Sequence, residues 1–480
     1  MLDQLSDLVD HARGRASYAE ARRVHTRSED VSVLDDRCEA VTAAETDGIG
    51  VRVAVEGGWG FAATRDTSDA GARRALARAI EIAAAAPKGT PPPRAPLAPD
   101  PPGGHWESRW ERDPFALSPQ ARLELLLIAT QAMGSDDRIV RRWGGLSARR
   151  MTTAFASTEG VAHTQTVTEC GGGIQAIAIA DGELVVRSYP TAHGGAIAQA
   201  GLEHIEALAL GANAARVAEE ALALLSAPVC PERTTTLVLH PEQVALQVHE
   251  SIGHALELDR ILLGEASYAG TSWVAVDDLG SLRYGSEALN VTADATVPGG
   301  LGTFGWDDEG VPAARTPLIV DGVLRATLSD RQSAATIGLD VSGGCARADG
   351  FARQPIVRMT NVNLEPGDGG TLDDLIAGTE RGIYMETNRS WSIDDRRLQF
   401  QFGCELGREI VDGELRGLLR NPSYAGITPR FWGSLDAVGS QANWTLWGLT
   451  NCGKGEPGQM MAVSHGTAPA RFRDVQVGIA

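Results

Sequence analysis

The chain has 480 residues, which at roughly 150 residues per domain predicts about three folding units and excludes a single small module. Hydrophobic residues make up 43% of the sequence and charged residues 22%, so disorder of the whole chain is excluded. The 43 basic and 62 acidic side chains give a formal net charge of −19; a surface of that sign repels phosphate backbones, and nucleic acid is not an expected partner.

The six cysteines are scattered, without a CxxC pair or a regular spacing. Because a chain of this length does not need disulfides to stabilise its core, we expect reduced thiols and a cytoplasmic location. The first residues carry neither the basic nor the apolar segment of a secretory signal. No stretch of about 18 apolar residues occurs, so we expect no membrane partner.

The first predicted unit, residues 1–86, is a small α+β domain. Short alternating apolar runs predict strands, and the pair Gly57-Gly58 between two such runs is typical of a hairpin. A helix is predicted from about Ser68 to Ala86, because Ser68 is a favoured N-cap residue and apolar residues then recur with helical spacing.

A proline-rich segment, residues 87–108, is predicted to be a linker, since this composition favours extended structure over a packed core. The second predicted unit, residues 109–228, is also α+β. Its first helix is predicted to start after Ser118, with Pro119 in the first turn. Strand-like runs and an alanine-rich helix over residues 201–226 complete this unit.

The third predicted unit, residues 229–480, is rich in strands and glycine. A strand over residues 234–240 is predicted to lead into a helix that begins at Pro241. A GxGxxG pattern at residues 300–305 follows no strong strand and opens no helix, so a dinucleotide site is not predicted. The predicted fold class is therefore α+β, with two N-terminal α/β units followed by a β-rich C-terminal domain that carries one functional helix.

The most informative segment is His-Glu-x-x-x-His at residues 249–254, on that predicted helix. It is one residue longer than the zinc signature His-Glu-x-x-His. Residues five apart on a regular α-helix are separated by about 140°, so His249 and His254 can share a metal only if the helix widens into a π turn or breaks near Gly253. Glu250 then lies beside the metal without binding it, where a general base is needed.

Two histidines leave a catalytic zinc site incomplete, since such a site usually has three protein ligands and a water. Composition alone does not decide among the candidates for the third ligand, which are Cys452, Cys404, His465 and His240. Cys452 has the most suggestive setting, because it lies in a glycine-flanked loop with the cationic Lys454 nearby, which favours a thiolate.

Beyond the motif, several segments resemble the PmbA/TldD family of metallopeptidases, on its metal-binding TldD side. These segments are residues 249–257, 307–312, 329–334, 358–361 with 366–367, 451–454 and, in the first unit, 47–62. They recur in the family's order, and the likeness extends through nearly all of residues 232–478.

The resemblance implies one zinc ion per chain, bound by His249, His254 and Cys452, with Glu250 as the general base. The same ligands are compatible with iron or another divalent metal. The resemblance further implies a β-rich C-terminal catalytic domain. It also implies a dimer, formed with a metal-free TldE/PmbA-type subunit or with a second copy, which encloses the active site in a cavity.

The predicted function is hydrolysis of amide bonds in peptides or unfolded chains, by a water that the metal activates and Glu250 deprotonates. Asn451, Lys454 and Asp307 are candidates for contacts with the substrate or with the oxyanion. One alternative is a TldD-like amide hydrolase dedicated to a small molecule or a peptide precursor in specialised metabolism. Another is a non-catalytic scaffold stabilised by the metal; Glu250 argues against it, because structural sites usually have four protein ligands and no such carboxylate.

Overall fold

The computed structural model describes residues 1–86, 94–97, 103–266 and 270–479. It confirms the predicted fold class, with mixed α+β structure and a strand-rich C-terminal part. Much of the predicted linker, residues 87–108, lies outside the described residues. Near its end, Gly104–Glu107 form a short strand instead of a linker, because they pair with a neighbouring strand. The domain boundaries stay predictions.

The N-terminal part is one mixed sheet with helices packed against it. Its elements are α1 (Leu2–Asp10), β1 (Tyr18–Leu34), β2 (Arg37–Val55), β3 (Gly58–Thr64), α2 (Asp69–Ala85), β4 (Gly104–Glu107), α3 (Pro119–Ala132), β5 (Ile139–Ser157), β6 (Ala162–Ala180), β7 (Glu183–Tyr189), β8 (Ala196–Ala198), α4 (Leu202–Ala207) and α5 (Leu210–Leu225). The strand order is β3-β2-β1-β5-β6-β4, and β7 and β8 also pair with β6. Because β1 pairs with β5 from Glu20 to Leu34, the first and second predicted units share this sheet.

Local signals explain where two of these helices begin. The hydroxyl of Ser68 accepts a hydrogen bond from an N–H group in the first turn of α2, and Ser118 caps α3 in the same way. The alanine-rich helix predicted over residues 201–226 is instead divided into α4 and α5. The division occurs because Ala209 adopts a left-handed conformation, with φ 48°, which interrupts the helical ladder.

The C-terminal part is built mainly of strands. Its elements are β9 (Arg233–Leu239), α6 (Pro241–Val248), α7 (Leu258–Ile261), β10 (Val291–Asp294), β11 (Arg315–Val320), β12 (Val323–Leu324), α8 (Arg331–Thr336), β13 (Ala346–Arg347), β14 (Ile356–Val357), β15 (Val362–Leu364), α9 (Leu372–Ala377), β16 (Arg381–Ile393), β17 (Gln399–Val411), β18 (Glu414–Leu419), β19 (Ser423–Ile427), α10 (Thr428–Gly433), β20 (Leu435–Val438), β21 (Thr445–Lys454), β22 (Gln459–Thr467) and β23 (Ala470–Val477). The largest sheet of this C-terminal part has the order β16-β9-β23-β19-β17-β18, and β20 pairs with β23. β21 and β22 form a separate hairpin, and β12-β11-β10-β15 form a smaller sheet.

Helix α6 lies in the centre of the C-terminal part. It begins at Pro241, as predicted, and each of its eight residues is buried. Val244, Val248 and Ile252 belong to the main hydrophobic core of this part of the chain. Burial on all sides fixes α6, and therefore the segment that directly follows it. None of the helices in the described ranges combines the length with the low polarity that a membrane span requires.

Candidate metal centre

The His-Glu motif forms a π-helical turn at the end of α6. Residues His249–Gly253 are π-helical, and a short 3-10 turn, His254–Leu256, follows. A π turn contains one residue more than an α-helical turn, so His249 and His254 face each other with ring centroids 4.7 Å apart. The predicted widening of the helix is confirmed.

Buried contacts stabilise this turn. The hydroxyl of Tyr284 donates to the carbonyl of Ser251, and the indole N–H of Trp432 donates to the Ser251 hydroxyl over 2.9 Å. A Cβ atom at Gly253 would lie 2.2 Å from the Sδ atom of Met359, so a larger residue at position 253 would require the buried Met359 side chain to shift. The turn is thus held by side chains from other elements.

Strand β21 contributes a sulfur atom to the two imidazoles. Cys452 Sγ lies 3.6 Å from His254 Nε2. One donor atom from each of His249, His254 and Cys452 lies within 4.8 Å of the others, and all three residues are buried. Zinc–ligand bonds are about 2.0–2.3 Å long, so donor atoms gathered this closely fit a single shared ion.

The remaining candidates for a third ligand lie elsewhere. His465 lies behind His249 rather than beside the sulfur, with its Nε2 atom 2.8 Å from His249 Nδ1. His240 packs against Trp447, with ring centroids 5.8 Å apart. Cys404 is buried in β17. None of these three belongs to the group of donor atoms found among the described residues.

Hydrogen bonds on the far side of each imidazole decide which ring nitrogen faces the sulfur. His465 Nδ1 lies 2.7 Å from the carbonyl of Val362, which can only accept, so His465 Nε2 accepts from the Nδ1–H of His249. His254 Nδ1 lies 2.9 Å from the carboxylate of Glu257 and donates to it. Both rings of the motif therefore keep an unprotonated Nε2, the form that binds metal.

A buried group of charges stabilises Glu257. Its carboxylate lies 2.6 Å from Arg260 Nε and 3.4 Å from Lys454 Nζ, and Lys454 also contacts Asp259 over 2.8 Å. Burial by itself would raise the pKa of Glu257, but Lys454 and Arg260 hold that pKa well below its usual value. Glu257 is thus a carboxylate that accepts from His254.

The protonation preferences of the donor groups match metal binding. Burial lowers the pKa of His249 to about 4 and also lowers the pKa of His254, so both rings are neutral at neutral pH. Burial of Cys452 acts to raise the pKa of its thiol, but its charged and polar surroundings outweigh this effect and the net shift is downward. A neutral pair of imidazoles beside an acidified thiol is the donor set that zinc prefers.

A cavity of about 410 Å³ opens onto this group. Its lining includes the two histidines and the cysteine, together with Glu250, Arg397 and Asn451. Asn451, a predicted substrate contact, therefore faces the cavity. Lys454, another predicted contact, is fully buried in the charge group around Glu257 and does not line the cavity.

Asp307, the third predicted substrate contact, is distant from this cavity. It lines a different cavity, between the N-terminal sheet and the C-terminal part. One of its carboxylate oxygens accepts hydrogen bonds from the N–H groups of Glu309 and Val311, each over 2.9 Å. Its carboxylate therefore stabilises a loop, and the structure does not bring Asp307 together with the metal-binding group.

Arg397 belongs to the site although no motif predicted it. Its Nη1 atom lies 2.6 Å from Glu250 Oε2, and both side chains are buried. Arg397 lies in the turn between β16 and β17, 147 residues from Glu250 in sequence. The only sequence signal was a run of four charged residues, 394–397, between two strand-like segments.

Three family models match the chain in order. The model for the PmbA/TldA metallopeptidase domain 1 matches residues 19–83, that for the central domain matches residues 112–225, and that for the C-terminal domain matches residues 232–479. His249, His254 and Cys452 all lie within the C-terminal match.

Individual proteins agree with these matches. A metalloprotease from Methanothermobacter thermautotrophicus is 30% identical over 99% of this chain and 98% of its own length. A zinc metalloprotease TldD homolog from Saccharolobus solfataricus is 26% identical over 50% of this chain and 51% of its own length. The crystal structure of TldE from Thermococcus kodakarensis shares the fold, with a TM-score of 0.76 and 16% identity over 99% of both chains. The chain belongs to the PmbA/TldD family of metallopeptidases.

Proposed function

We propose that the protein is a zinc-dependent peptidase that hydrolyses amide bonds in peptides or unfolded chains. One observation carries the proposal: His249, His254 and Cys452 converge on one cavity in which Glu250 lies beside them without belonging to the donor group. Three protein ligands with a neighbouring free carboxylate are characteristic of catalytic zinc sites, whereas structural sites usually have four ligands.

The three donors have the chemistry that the ion requires. His249 and His254 would bind through Nε2 and Cys452 through its thiolate. The zinc metalloprotease name of the Saccharolobus solfataricus relative supports zinc, although iron or another divalent metal is compatible with the same donors. When bound, the ion polarises the substrate carbonyl and lowers the pKa of a water.

Glu250 moves the proton. Its carboxylate lines the same cavity as the donor residues, where it can accept a proton from the attacking water and then deliver it to the leaving amine. Arg397 fixes the direction of this carboxylate through the 2.6 Å contact. The Asn451 side chain lines the same cavity and can donate a hydrogen bond to the oxyanion.

Metal analysis combined with cleavage of a generic peptide tests this function. Glu250→Gln is expected to keep its metal and to lose about 10²–10⁴-fold in cleavage rate. His254→Ala and Cys452→Ser are expected to lose the metal as well. Cys404→Ser is the matched control, because Cys404 lies outside the donor group and should keep both properties.

Three outcomes would contradict parts of the proposal. Full cleavage by Glu250→Gln removes the proposed base, and a full complement of metal in Cys452→Ser removes the proposed third ligand. Cleavage of small amides without cleavage of any peptide identifies the dedicated amide hydrolase instead.

We also propose that the protein acts in the cytoplasm as a dimer, with a TldE/PmbA-type relative or with a second copy. All six cysteines are unpaired, which supports a reducing compartment, and the family relationship supports the pairing. Light scattering and mass spectrometry of the protein isolated from its native cells test the assembly. A particle with the mass of one chain would contradict it.

A further inference from the structure

A second, smaller cavity adjoins the metal cavity. It has a volume of about 30 Å³ and shares His193, Leu246 and Leu449 with the larger one. Its lining includes Glu242 of α6. Because Glu242 precedes His249 by seven residues, the two side chains lie on the same face of the helix. The small cavity is therefore a side pocket of the proposed active site, with Glu242 about two helical turns, or ~10 Å along the helix, from His249.

The carboxyl group of Glu242 is incompletely satisfied in this pocket. Glu242 is only 8% exposed, and its Oε1 atom has no hydrogen-bond partner in the part of the chain that the structure describes. Thr387 is a polar neighbour of the same carboxyl group. Buried carboxylates are normally paired with a cation or fully hydrogen-bonded, so one position beside Oε1 is open to a donor.

The neighbouring cation is already engaged by other carboxylates. Arg187 lies 2.6 Å from Glu386 through Nη2 and 3.4 Å from Glu405 through Nη1. Its Nε atom also lies 2.8 Å from Glu220, so three carboxylates share one guanidinium before Glu242 is counted. Burial makes the charged forms of these carboxyl groups costly, and it raises the pKa of Glu242 to about 8 and that of Glu405 to about 7. A further positive charge in the pocket would relieve this cost.

The pocket also presents a second acceptor and limits the size of the cation. The Nδ2 atom of Asn388 donates to the carbonyls of Ser390 and Gly403, which leaves its Oδ1 atom as an acceptor on the side of His193, 3.2 Å from that ring. An ammonium group is compact and carries three donors, whereas a guanidinium is planar and broad. A volume of about 30 Å³ suits the ammonium.

We propose that this pocket binds a primary ammonium group of the peptide substrate, with Glu242 as its counter-ion. The inference rests on the proposed function, since it names a group of that substrate. The ammonium can come from the N-terminus of the peptide or from a lysine side chain. In either case the pocket selects substrates by a positive charge held to one side of the metal cavity.

Calorimetric titration of a Glu250→Gln protein tests the pocket without turnover. The first pair of probes is an alanine pentapeptide amide with a free or an acetylated N-terminus. The second is the acetylated peptide with lysine or norleucine at each position in turn. In at least one pair the ammonium peptide is expected to bind about tenfold more tightly, and the additional change Glu242→Gln should remove this preference.

The matched control is Glu220→Gln, which removes a charge from the Arg187 network but does not line the pocket, and it should keep the preference. A preference that survives Glu242→Gln overturns the inference, and so does equal binding within every pair. A preference in the first pair alone identifies the N-terminus, and one in the second pair alone identifies lysine.

A competition experiment needs no change at residue 242. Methylammonium chloride should weaken binding of the preferred ammonium peptide more than the same concentration of tetramethylammonium chloride, which is too large for the pocket. Equal effects of the two salts contradict the inference. Because neither measurement requires cleavage, a wild-type protein that binds these peptides without hydrolysing them would contradict the proposed function alone.

Discussion

The guanidinium of Arg397 lies 2.6 Å from the carboxylate of Glu250, and both side chains are buried. Arg397 comes from the turn between β16 and β17, where it adopts a left-handed conformation with φ 62°. A short charge-assisted contact fixes the direction of a carboxylate. The metal cavity therefore receives its proposed base from the π-helical turn that follows α6, and the orientation of that base from the β16–β17 hairpin.

Replacement of Arg397 by glutamine should lower kcat for peptide cleavage by about 10–100-fold, because the carboxylate of Glu250 loses its fixed direction. Metal content and KM should change little, because Arg397 is not one of the donor residues and its proposed role is to orient the base. Arg396→Gln is the control, because the neighbouring Arg396 is exposed. An unaltered kcat in Arg397→Gln would contradict the positioning role.

Replacement of His465 by leucine should weaken metal binding by about 10–100-fold, the effect usual for the loss of a hydrogen-bond partner behind a ligand. Without the acceptor at His465 Nε2, the Nδ1–H of His249 has no partner and the ring is free to rotate. Competition with a chelator measures the affinity. The exposed His105 provides the control variant, His105→Leu, and equal affinities for the two variants would show that His465 is not required.

Gly253→Ala should lower the free energy of unfolding by about 1–3 kcal/mol, because the new Cβ atom would lie 2.2 Å from Met359 Sδ. Denaturant titration measures the loss. Gly417→Ala is the control, since no atom lies within 4 Å of its added Cβ position. The double variant with Met359→Val should lose less than the sum of the two single losses. Strict additivity would mean that this contact is not the cause.

Acid should destabilise the protein through His163, which is stacked between Phe155 and Trp306. Burial lowers its pKa to about 4 in the folded chain, against about 6.5 when unfolded. The unfolded state therefore binds more protons between these values, so this contribution to stability is complete above about pH 6.5 and is lost as the pH falls towards 4. The total loss is about 3 kcal/mol.

Scanning calorimetry at pH 7 and pH 4.5 checks this sign. His163→Phe should lose less of its Tm on acidification than the wild-type protein does, because phenylalanine has no proton to bind. The exposed His105, replaced by phenylalanine, should leave the acid sensitivity unchanged. If His163→Phe and the wild-type protein lose the same amount, the acid sensitivity has another source.

The elements around the motif could be predicted because their signals are local. Ser68 and Ser118 cap their helices, and Pro241 starts α6 directly after a strand. The sheet shared by the first two units could not be predicted in the same way. The pairing of β1 with β5 joins residues as far apart as Glu20 and Ser157, and alternation along one strand does not identify its neighbour.

The site residues also divide into those that a local motif indicates and those that it does not. His249, Glu250 and His254 lie within six residues of sequence, so the spacing of one motif indicated them together. Position in the sequence does not show that Cys452 lies close to the two histidines in space, so the residues alone leave it as one of four candidates. The family resemblance is what favours it. Arg397 could not be predicted for the same reason, since it lies far from the motif in sequence.

Two of the predicted substrate contacts have structural roles instead. Lys454 and Asp307 lie in segments that resemble the family, and their charge suggested contact with a substrate. The structure instead uses Lys454 to neutralise buried acids and Asp307 to accept from main-chain N–H groups. Sequence shows that a charged residue is present, but only its surroundings show whether it faces solvent, a ligand or the protein itself.

His249 and His465 form a hydrogen-bonded relay that ends on a main-chain atom, the carbonyl of Val362. Every amino acid offers that carbonyl, so natural variation at position 362 can exchange one apolar residue for another of similar size without altering the protonation of the relay. Position 465 has no such freedom. Among homologues, the imidazole at 465 should therefore be retained more strictly than the side chain of the strand residue that orients it.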